Sequence, residues 1–120
     1  MKYLLIIHNN PALIASLPAD EQAAIGDAHE GFQERLRATG ELVGFAALAD
    51  PDMSRVVRVR DGVPAVTDGP FAEAKEYLAG YYVIDTETPE RAVEIAATLL
   101  EARYVGIEIR PVMAAGGLEM

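Results

Sequence analysis

The run Ala79-Gly80-Tyr81-Tyr82-Val83-Ile84 contains no charged residue, and it decides the interpretation of the fold. A short run of this kind, rich in aromatic and β-branched residues, predicts a strand buried on both faces. Two further runs have the same character, Leu4-Leu5-Ile6-Ile7 and Phe45-Ala46-Ala47-Leu48. A sheet with one solvated face would instead alternate between apolar and polar residues. The sheet therefore needs a cover on each of its faces.

Two segments have the pattern of helices. The first runs from about Pro18 to Thr39, with Pro at a first helical position, apolar residues three and four apart, and Gly40 as its stop. The second begins at the N-cap Thr88 with Pro89 after it, and continues to about Leu100. The stretch between the first strand and the first helix is interpreted as a loop.

A β-hairpin separates the second strand from the Tyr81-Tyr82 strand. Asp61-Gly62 is typical of a type I′ turn, and it joins a strand over Arg55 to Arg60 to one over Val63 to Thr67. Pro64 restricts the second of these strands to an edge. A last strand from Val105 to Arg110 closes the chain before Pro111.

This order predicts an α+β fold, the ferredoxin-like β-α-β-β-α-β arrangement with an inserted β-hairpin. Both helices of that arrangement cover one face of the sheet. The other face is also apolar, and the chain has no element left to cover it. We therefore expect a homodimer that forms through the open sheet face. One domain is expected over residues 1–112, with a C-terminal tail over 113–120.

Composition excludes several classes of protein. The 120 residues include no Cys, which excludes disulfides, thiolate metal sites and a thiol nucleophile. The net charge of −9 and the lack of a basic stripe argue against direct binding of nucleic acid. No apolar run is long enough to cross a membrane, so a cytoplasmic protein is expected. The two His residues fit no metal motif, and no metal or cofactor is expected.

Asp68-Gly69-Pro70-Phe71 is the most informative motif. By chemistry alone it is a turn that leads into a short helix beginning at Pro70. The motif is followed by Ala72-Glu73, Lys75-Glu76, Gly80-Tyr81-Tyr82 and the ending Ile107-Glu108-Ile109-Arg110-Pro111-Val112. In this order, over nearly the whole chain, the sequence resembles the DGPF branch of the YCII-related family. The resemblance implies a dimeric α/β barrel built from ferredoxin-like units.

His29 is the main catalytic candidate. It borders the apolar stripe of the first helix, four residues after Ile25 and three before Phe32. A neutral imidazole there could serve as a general acid or base, or it could be a flanking histidine with one satisfied hydrogen bond. The resemblance implies the first of these, because YCII-type proteins carry an active-site His on the first helix.

The carboxylate partner of His29 does not follow directly from the family pattern. YCII-type proteins pair their His with an Asp in an Asp-Pro-Tyr segment before the last strand, and this chain has Glu101-Ala102-Arg103-Tyr104 there. We therefore expect Asp68 to orient the imidazole, with Glu76 as a weaker alternative. The residues expected to contact a ligand are Gly69, Pro70, Phe71, Glu76 and Tyr81.

Three functions remain open, and the third is purely structural. The first is a small-molecule lyase or hydrolase in which His29 moves a proton and Asp68 assists. The resemblance supports it in outline, since some YCII relatives are linked to breakdown of chlorinated aromatic intermediates. The second is a non-catalytic module that binds a ligand or a protein. The resemblance implies a sigma-factor regulatory context for it. The third is a structural dimer whose motif only shapes a turn.

Overall fold

The computed structural model describes residues 1–117, and it is a mixed α+β fold, as predicted. Its main sheet is antiparallel, with the strand order β2-β5-β1-β6, and the remaining two strands form a separate sheet. The strands are β1 (Lys2–Asn9), β2 (Leu42–Ala47), β3 (Arg55–Arg60), β4 (Val63–Asp68), β5 (Tyr77–Asp85) and β6 (Ile107–Pro111). The helices are α1 (Pro11–Ser16), α2 (Ala19–Thr39), α3 (Pro89–Ala97) and α4 (Glu101–Tyr104), with a 3₁₀ turn at Pro51–Met53.

The core lies between one face of the main sheet and the two long helices. Alternate residues of the central strands enter it, because neighbouring side chains of a strand point to opposite faces. From α2 it receives Phe32 and Leu36. Its other buried members are Tyr3, Leu5, Ile7, Tyr82, Ile84, Ala92, Ile95, Ala96 and Leu99. Helices α2 and α3 therefore cover the same face, as the sequence predicted.

The opposite face of the sheet is apolar along the central strands β1 and β5, and the edge strand β6 adds Glu108 beside Ile6 and Arg110 beside Leu4. Leu4 pairs with Val83 and Ile6 with Tyr81 across β1 and β5. Ile6 and Val83 are buried but lie outside the helix-covered core, while Leu4 and Tyr81 are half-buried. The strands β1 and β5 thus carry apolar side chains on both faces, as their sequence predicted, whereas β2 contains no buried residue.

Strands β3 and β4 form the predicted hairpin, which we call the arm. Its turn residues Asp61 and Gly62 both have positive φ, 51° and 77°, as a type I′ turn requires. The arm pairs with no strand of the main sheet in the described residues. Four of its valines are more than half exposed, namely Val57, Val59, Val63 and Val66.

The structure corrects two local predictions. The stretch interpreted as a loop contains α1, because the Asn10 side chain accepts hydrogen bonds from the backbone N–H groups of Ala12 and Leu13. The helix expected from Pro70 does not form, since no helix or strand lies between Asp68 and Tyr77.

The structure explains why position 69 is a glycine. Its N–H donates a 2.7 Å hydrogen bond to the carbonyl oxygen of Ser54, and a Cβ at position 69 would lie 2.5 Å from the Ser54 Cβ. Only glycine allows this close approach, which ties the end of β4 to the start of β3.

The chain's end differs slightly from expectation. The second helix stops at Ala97, α4 follows as a separate turn, and the last strand begins at Ile107. Residues 113–117 of the expected tail form no helix or strand, and residues 118–120 lie outside the described residues. The division into a domain over 1–112 and a tail stays a prediction. Through residue 117, no helix has both the length and the apolar character needed to cross a bilayer.

Candidate functional site

His29 lies on the side of α2 that faces the sheet, and both of its ring nitrogens have partners. Nδ1 is 2.8 Å from the hydroxyl oxygen of Tyr82 on β5. Nε2 is 2.5 Å from Oε2 of Glu101 on α4. The imidazole thus joins a phenol to a carboxylate, and three separate elements bring these side chains together.

The direction of this hydrogen-bond chain follows from Gln33, one turn after His29 on α2. Its Nε2 donates to the Tyr82 oxygen over 3.1 Å. The single proton of the Tyr82 hydroxyl is then free to point at Nδ1 of His29, which accepts it. The proton of the neutral imidazole consequently sits on Nε2 and is donated to Glu101.

The environment keeps Tyr82 protonated. Burial raises the pKa of the Tyr82 hydroxyl above its ordinary value, and the Glu101 carboxylate acts in the same direction. The hydrogen bond from Gln33 opposes this pKa shift without reversing it. Tyr82 is therefore a neutral hydrogen-bond donor at physiological pH.

Backbone hydrogen bonds fix the position of Glu101 at the start of α4. Its carbonyl oxygen accepts hydrogen bonds from the N–H groups of Val105 and Gly106, at 2.9 and 3.0 Å. The residue is only 4% exposed, and the second carboxylate oxygen, Oε1, has no hydrogen-bond partner in the described residues. A buried carboxylate oxygen without a partner costs stability, so a site that retains it calls for an explanation.

A cavity of about 350 Å³ adjoins these side chains. Its lining includes His29, Gln33, Tyr82 and Glu101, and it extends along β2 and β5. The remaining wall is mostly apolar and is made by Ile7, Asn9, Ile25, Phe45, Ala46, Ala47, Ala79, Gly80 and Tyr81. A pocket of this size that is apolar apart from a few convergent polar groups is typical of a small-molecule site.

The arrangement is suited to proton transfer. A carboxylate on one ring nitrogen fixes the tautomer of the imidazole and stabilises the imidazolium that forms when the other nitrogen gains a proton. Here the other nitrogen is Nδ1, and the hydroxyl of Tyr82 covers it.

Glu101, rather than Asp68, is the carboxylate bonded to His29. Asp68 is exposed at the end of β4, where it pairs with Arg55, and it does not line the cavity. Since both ring nitrogens of His29 already have partners, no position is left for Asp68 within one copy of the chain. Glu76, the weaker alternative, is likewise exposed and outside the cavity.

The predicted ligand-binding residues separate into two groups. Tyr81 lines the cavity with His29, whereas Gly69, Pro70 and Phe71 do not. Pro70 borders a different cavity of about 360 Å³ beside Tyr77. Phe71 is 77% exposed, and the guanidinium of Arg58 lies 5.4 Å from its ring centroid.

His8 belongs to a different environment. Its Nε2 lies 3.1 Å from Oε1 of Glu108 on the neighbouring strand. Over residues 1–117, no three His, Asp or Glu side chains converge as ligands of a metal ion would.

Sequence reasoning found His29 but missed three of its neighbours. Neither Tyr82 nor Gln33 is among the residues predicted for the site, and Glu101 is noted only as the place where an Asp is lacking. The signal for Glu101 was present, because a Glu carries the same carboxylate on a side chain one methylene longer. That extra reach fits a residue which meets His29 from a short helix.

Two comparisons with known proteins show which family the chain belongs to. The model of the YCII-related domain matches residues 1–115. An uncharacterized protein of Rhizobium meliloti (strain 1021) is 28% identical over 113 residues, which cover 92% of this chain and 91% of that protein. The chain belongs to the YCII-related family.

Proposed function

We propose that this protein is a small-molecule enzyme of the lyase or hydrolase kind, with His29 as its general base and acid. The observation that carries the proposal is the continuous hydrogen-bond chain from Gln33 through Tyr82 and His29 to Glu101, on the wall of an apolar cavity. Buried polar chains of this kind cost stability unless every member is satisfied, and Oε1 of Glu101 is not.

The proton would reach His29 through Tyr82. A substrate in the cavity gives its proton to the Tyr82 oxygen and keeps the electron pair of the broken bond, while the proton of Tyr82 passes to Nδ1. The imidazolium so formed keeps its Nε2–H bond to Glu101, which offsets the new charge. Reversal of the two transfers returns the proton to a leaving group or product.

The test compares the two histidines of the chain. Wild type and the His29→Gln and His8→Gln variants are given a panel of small esters, lactones and halogenated alkenes, and product formation is followed by NMR. We expect His29→Gln to lose turnover by about 100-fold or more, the usual contribution of a general acid or base. His8→Gln should keep it, and both variants should keep the melting temperature of the wild type within a few degrees. Full turnover in His29→Gln would refute the proposal.

A non-catalytic module that binds a ligand or a protein is the second candidate, and one observation favours it. Both ring nitrogens of His29 are already hydrogen-bonded within the chain, as they would be in a structural network. The exposed valines of the arm also suit contact with another protein. A sigma-factor regulatory context stays a prediction. Saturable ligand binding without turnover would favour this candidate over the first.

We further propose that two copies associate through the face of the sheet opposite the helices. That face presents Leu4, Ile6, Tyr81 and Val83, which lie outside the core that α2 and α3 cover. The strand order, with β1 and β5 central and β2 and β6 at the edges, supports a ferredoxin-like unit with β3 and β4 inserted. Two such units joined by these faces would form the dimeric α/β barrel that the family resemblance implies. The cytoplasmic location expected from the sequence stays a separate prediction.

A further inference from the structure

The charge of the cavity beside His29 is one-sided. Of the thirteen residues that line it, Glu101 carries a carboxylate, and none is Lys or Arg. Arg37 is close enough to act on the pKa of Tyr82, but it does not belong to the wall. The whole chain also carries a net charge of −9. No fixed positive charge is therefore in place to neutralise an anion that enters.

The polar atoms of the same wall are short of donors. Two buried side-chain oxygens have no hydrogen-bond partner within residues 1–117, Oε1 of Glu101 and Oδ1 of Asn9. Both residues line this cavity, although they come from different elements. Glu101 offers only acceptors when it is ionised, so a donor is what its free oxygen requires.

From these observations we propose that the cavity takes a molecule without negative charge, with an apolar body and a hydroxyl, amine or amide group that donates a hydrogen bond to Glu101. The inference rests on the proposed function only in taking the cavity beside His29 as the substrate site. It adds the class of ligand, and it excludes carboxylates and phosphates.

The physical reason for the exclusion is the cost of placing a second anion near Glu101. A buried charge needs an opposite charge or several hydrogen bonds, and the cavity offers an anion neither an Arg nor a Lys. A neutral donor meets the opposite situation, because it satisfies an oxygen that is otherwise unpaired.

Three matched probes test the inference on the wild-type protein. Benzyl alcohol carries a neutral donor, benzyl methyl ether lacks the donor, and benzoate carries an anion on a body of the same size. Binding is measured from the shifts of the His29 ring signals in NMR titrations. We expect a Kd of about 1 mM for benzyl alcohol, as suits so few heavy atoms. Each of the other probes should bind about tenfold or more weakly.

The Glu101→Gln variant connects this ranking to the carboxylate. Glutamine keeps an acceptor for His29 but removes the charge and presents an amide donor where Oε1 stood. The advantage of benzyl alcohol over benzoate should fall by about tenfold in this variant. The matched control is Glu108→Gln, which removes a carboxylate from the contact with His8 and should leave the ranking unchanged.

The outcomes separate the two proposals. Benzoate or the ether binding as tightly as benzyl alcohol would overturn the ligand class, as would the absence of binding by all three probes. If the predicted ranking holds but the panel of reactive substrates shows no dependence on His29, the ligand class stands and the catalytic role fails. If turnover depends on His29 while benzoate binds best, the catalytic role stands and the ligand class fails.

Discussion

Nε2 of His29 lies 2.5 Å from Oε2 of Glu101, a residue 72 positions further along the chain. The contact brings α2 and α4 together beside β5, which supplies Tyr82. It also gives the imidazole a fixed orientation, because the opposite nitrogen is bonded to Tyr82. Two predictions concern the partners of His29 directly.

Glu101→Gln should separate function from stability. The variant keeps an acceptor for Nε2 of His29 but removes a buried charge that has one unpaired oxygen. We expect turnover to fall by about 100-fold, while the free energy of unfolding stays within about 1 kcal/mol of the wild type or rises. Urea unfolding monitored by circular dichroism measures the second quantity. Destabilisation by more than about 2 kcal/mol would instead mark Glu101 as a structural residue.

Tyr82→Phe should leave Nδ1 of His29 without its hydrogen bond. The substitution removes the hydroxyl that donates to Nδ1 but keeps the ring, which packs 4.6 Å from that of Phe32. The proton of the His29 ring should stay on Nε2 in both proteins, because Glu101 still accepts it, while the ¹⁵N chemical shift of Nδ1 should change in the variant, where Nδ1 loses its hydrogen bond. Stability should fall by about 2 kcal/mol, since the hydroxyl makes two hydrogen bonds, one with His29 and one with Gln33.

The control for this experiment is Tyr81→Phe, because Tyr81 precedes Tyr82 on β5, points to the opposite face of the sheet and has no hydrogen bond to His29. The ¹⁵N signals of the His29 ring in Tyr81→Phe should match those of the wild type. An Nδ1 chemical shift that is identical in wild type and Tyr82→Phe would contradict the hydrogen bond from the Tyr82 hydroxyl to this nitrogen.

Local sequence patterns predicted most of the helices, strands and turns. They could not predict the site, because tertiary packing brings its residues together. Gly40 ends α2 with a φ of 77°, and the arm turns at Asp61-Gly62, because these residues have strong intrinsic backbone preferences. The cap Asn10 before Pro11 was an equally clear helix signal that the sequence interpretation passed over. Glu101 could not be assigned in this way, since no periodicity relates it to His29. Only the packing of α4 beside β1 and α2 brings the two together.

Asp68→Asn provides the test of the partner that the sequence suggested. Because Asp68 is exposed and lies outside the cavity, we expect turnover to change less than about twofold and stability by less than about 0.5 kcal/mol. The measurements are the turnover assay and thermal unfolding. A large loss of turnover in a folded variant would place Asp68 in the site after all, either within one copy or across two.

The proposed dimer predicts a specific effect at Leu4. Its side chain lies on the sheet face opposite the helices, beside Val83. Wild type should sediment as a dimer at micromolar concentration, and Leu4→Lys should sediment as a monomer, because a lysine there would be buried without a partner. Val93→Lys is the matched control, since Val93 is 57% exposed on α3. A monomeric wild type would exclude the dimer, and a dimeric Leu4→Lys would place the interface elsewhere.

The last prediction concerns acid stability. Oε1 and Oε2 of Glu41 accept hydrogen bonds from Arg91 at 2.8 and 3.1 Å, and Oε2 accepts another from Thr86 at 2.7 Å. The bonds from Arg91, followed by that from Thr86, hold the pKa of Glu41 at about 2, against an ordinary value of 4.5. A lowered pKa means that the folded state binds this proton less readily than the unfolded state does.

The contribution of Glu41 is therefore fully present above about pH 4.5 and is lost as the pH falls towards about 2. Glu41→Gln should be less stable than the wild type at pH 7, on the order of 1 kcal/mol since Arg91 is partly exposed. The difference should disappear near pH 2. Glu94→Gln is the control, because Glu94 also contacts Arg91 but its side chain is 69% exposed. Thermal unfolding between pH 2 and 7 measures all three proteins. A difference between wild type and Glu41→Gln that persisted unchanged at pH 2 would show that charge is not its origin.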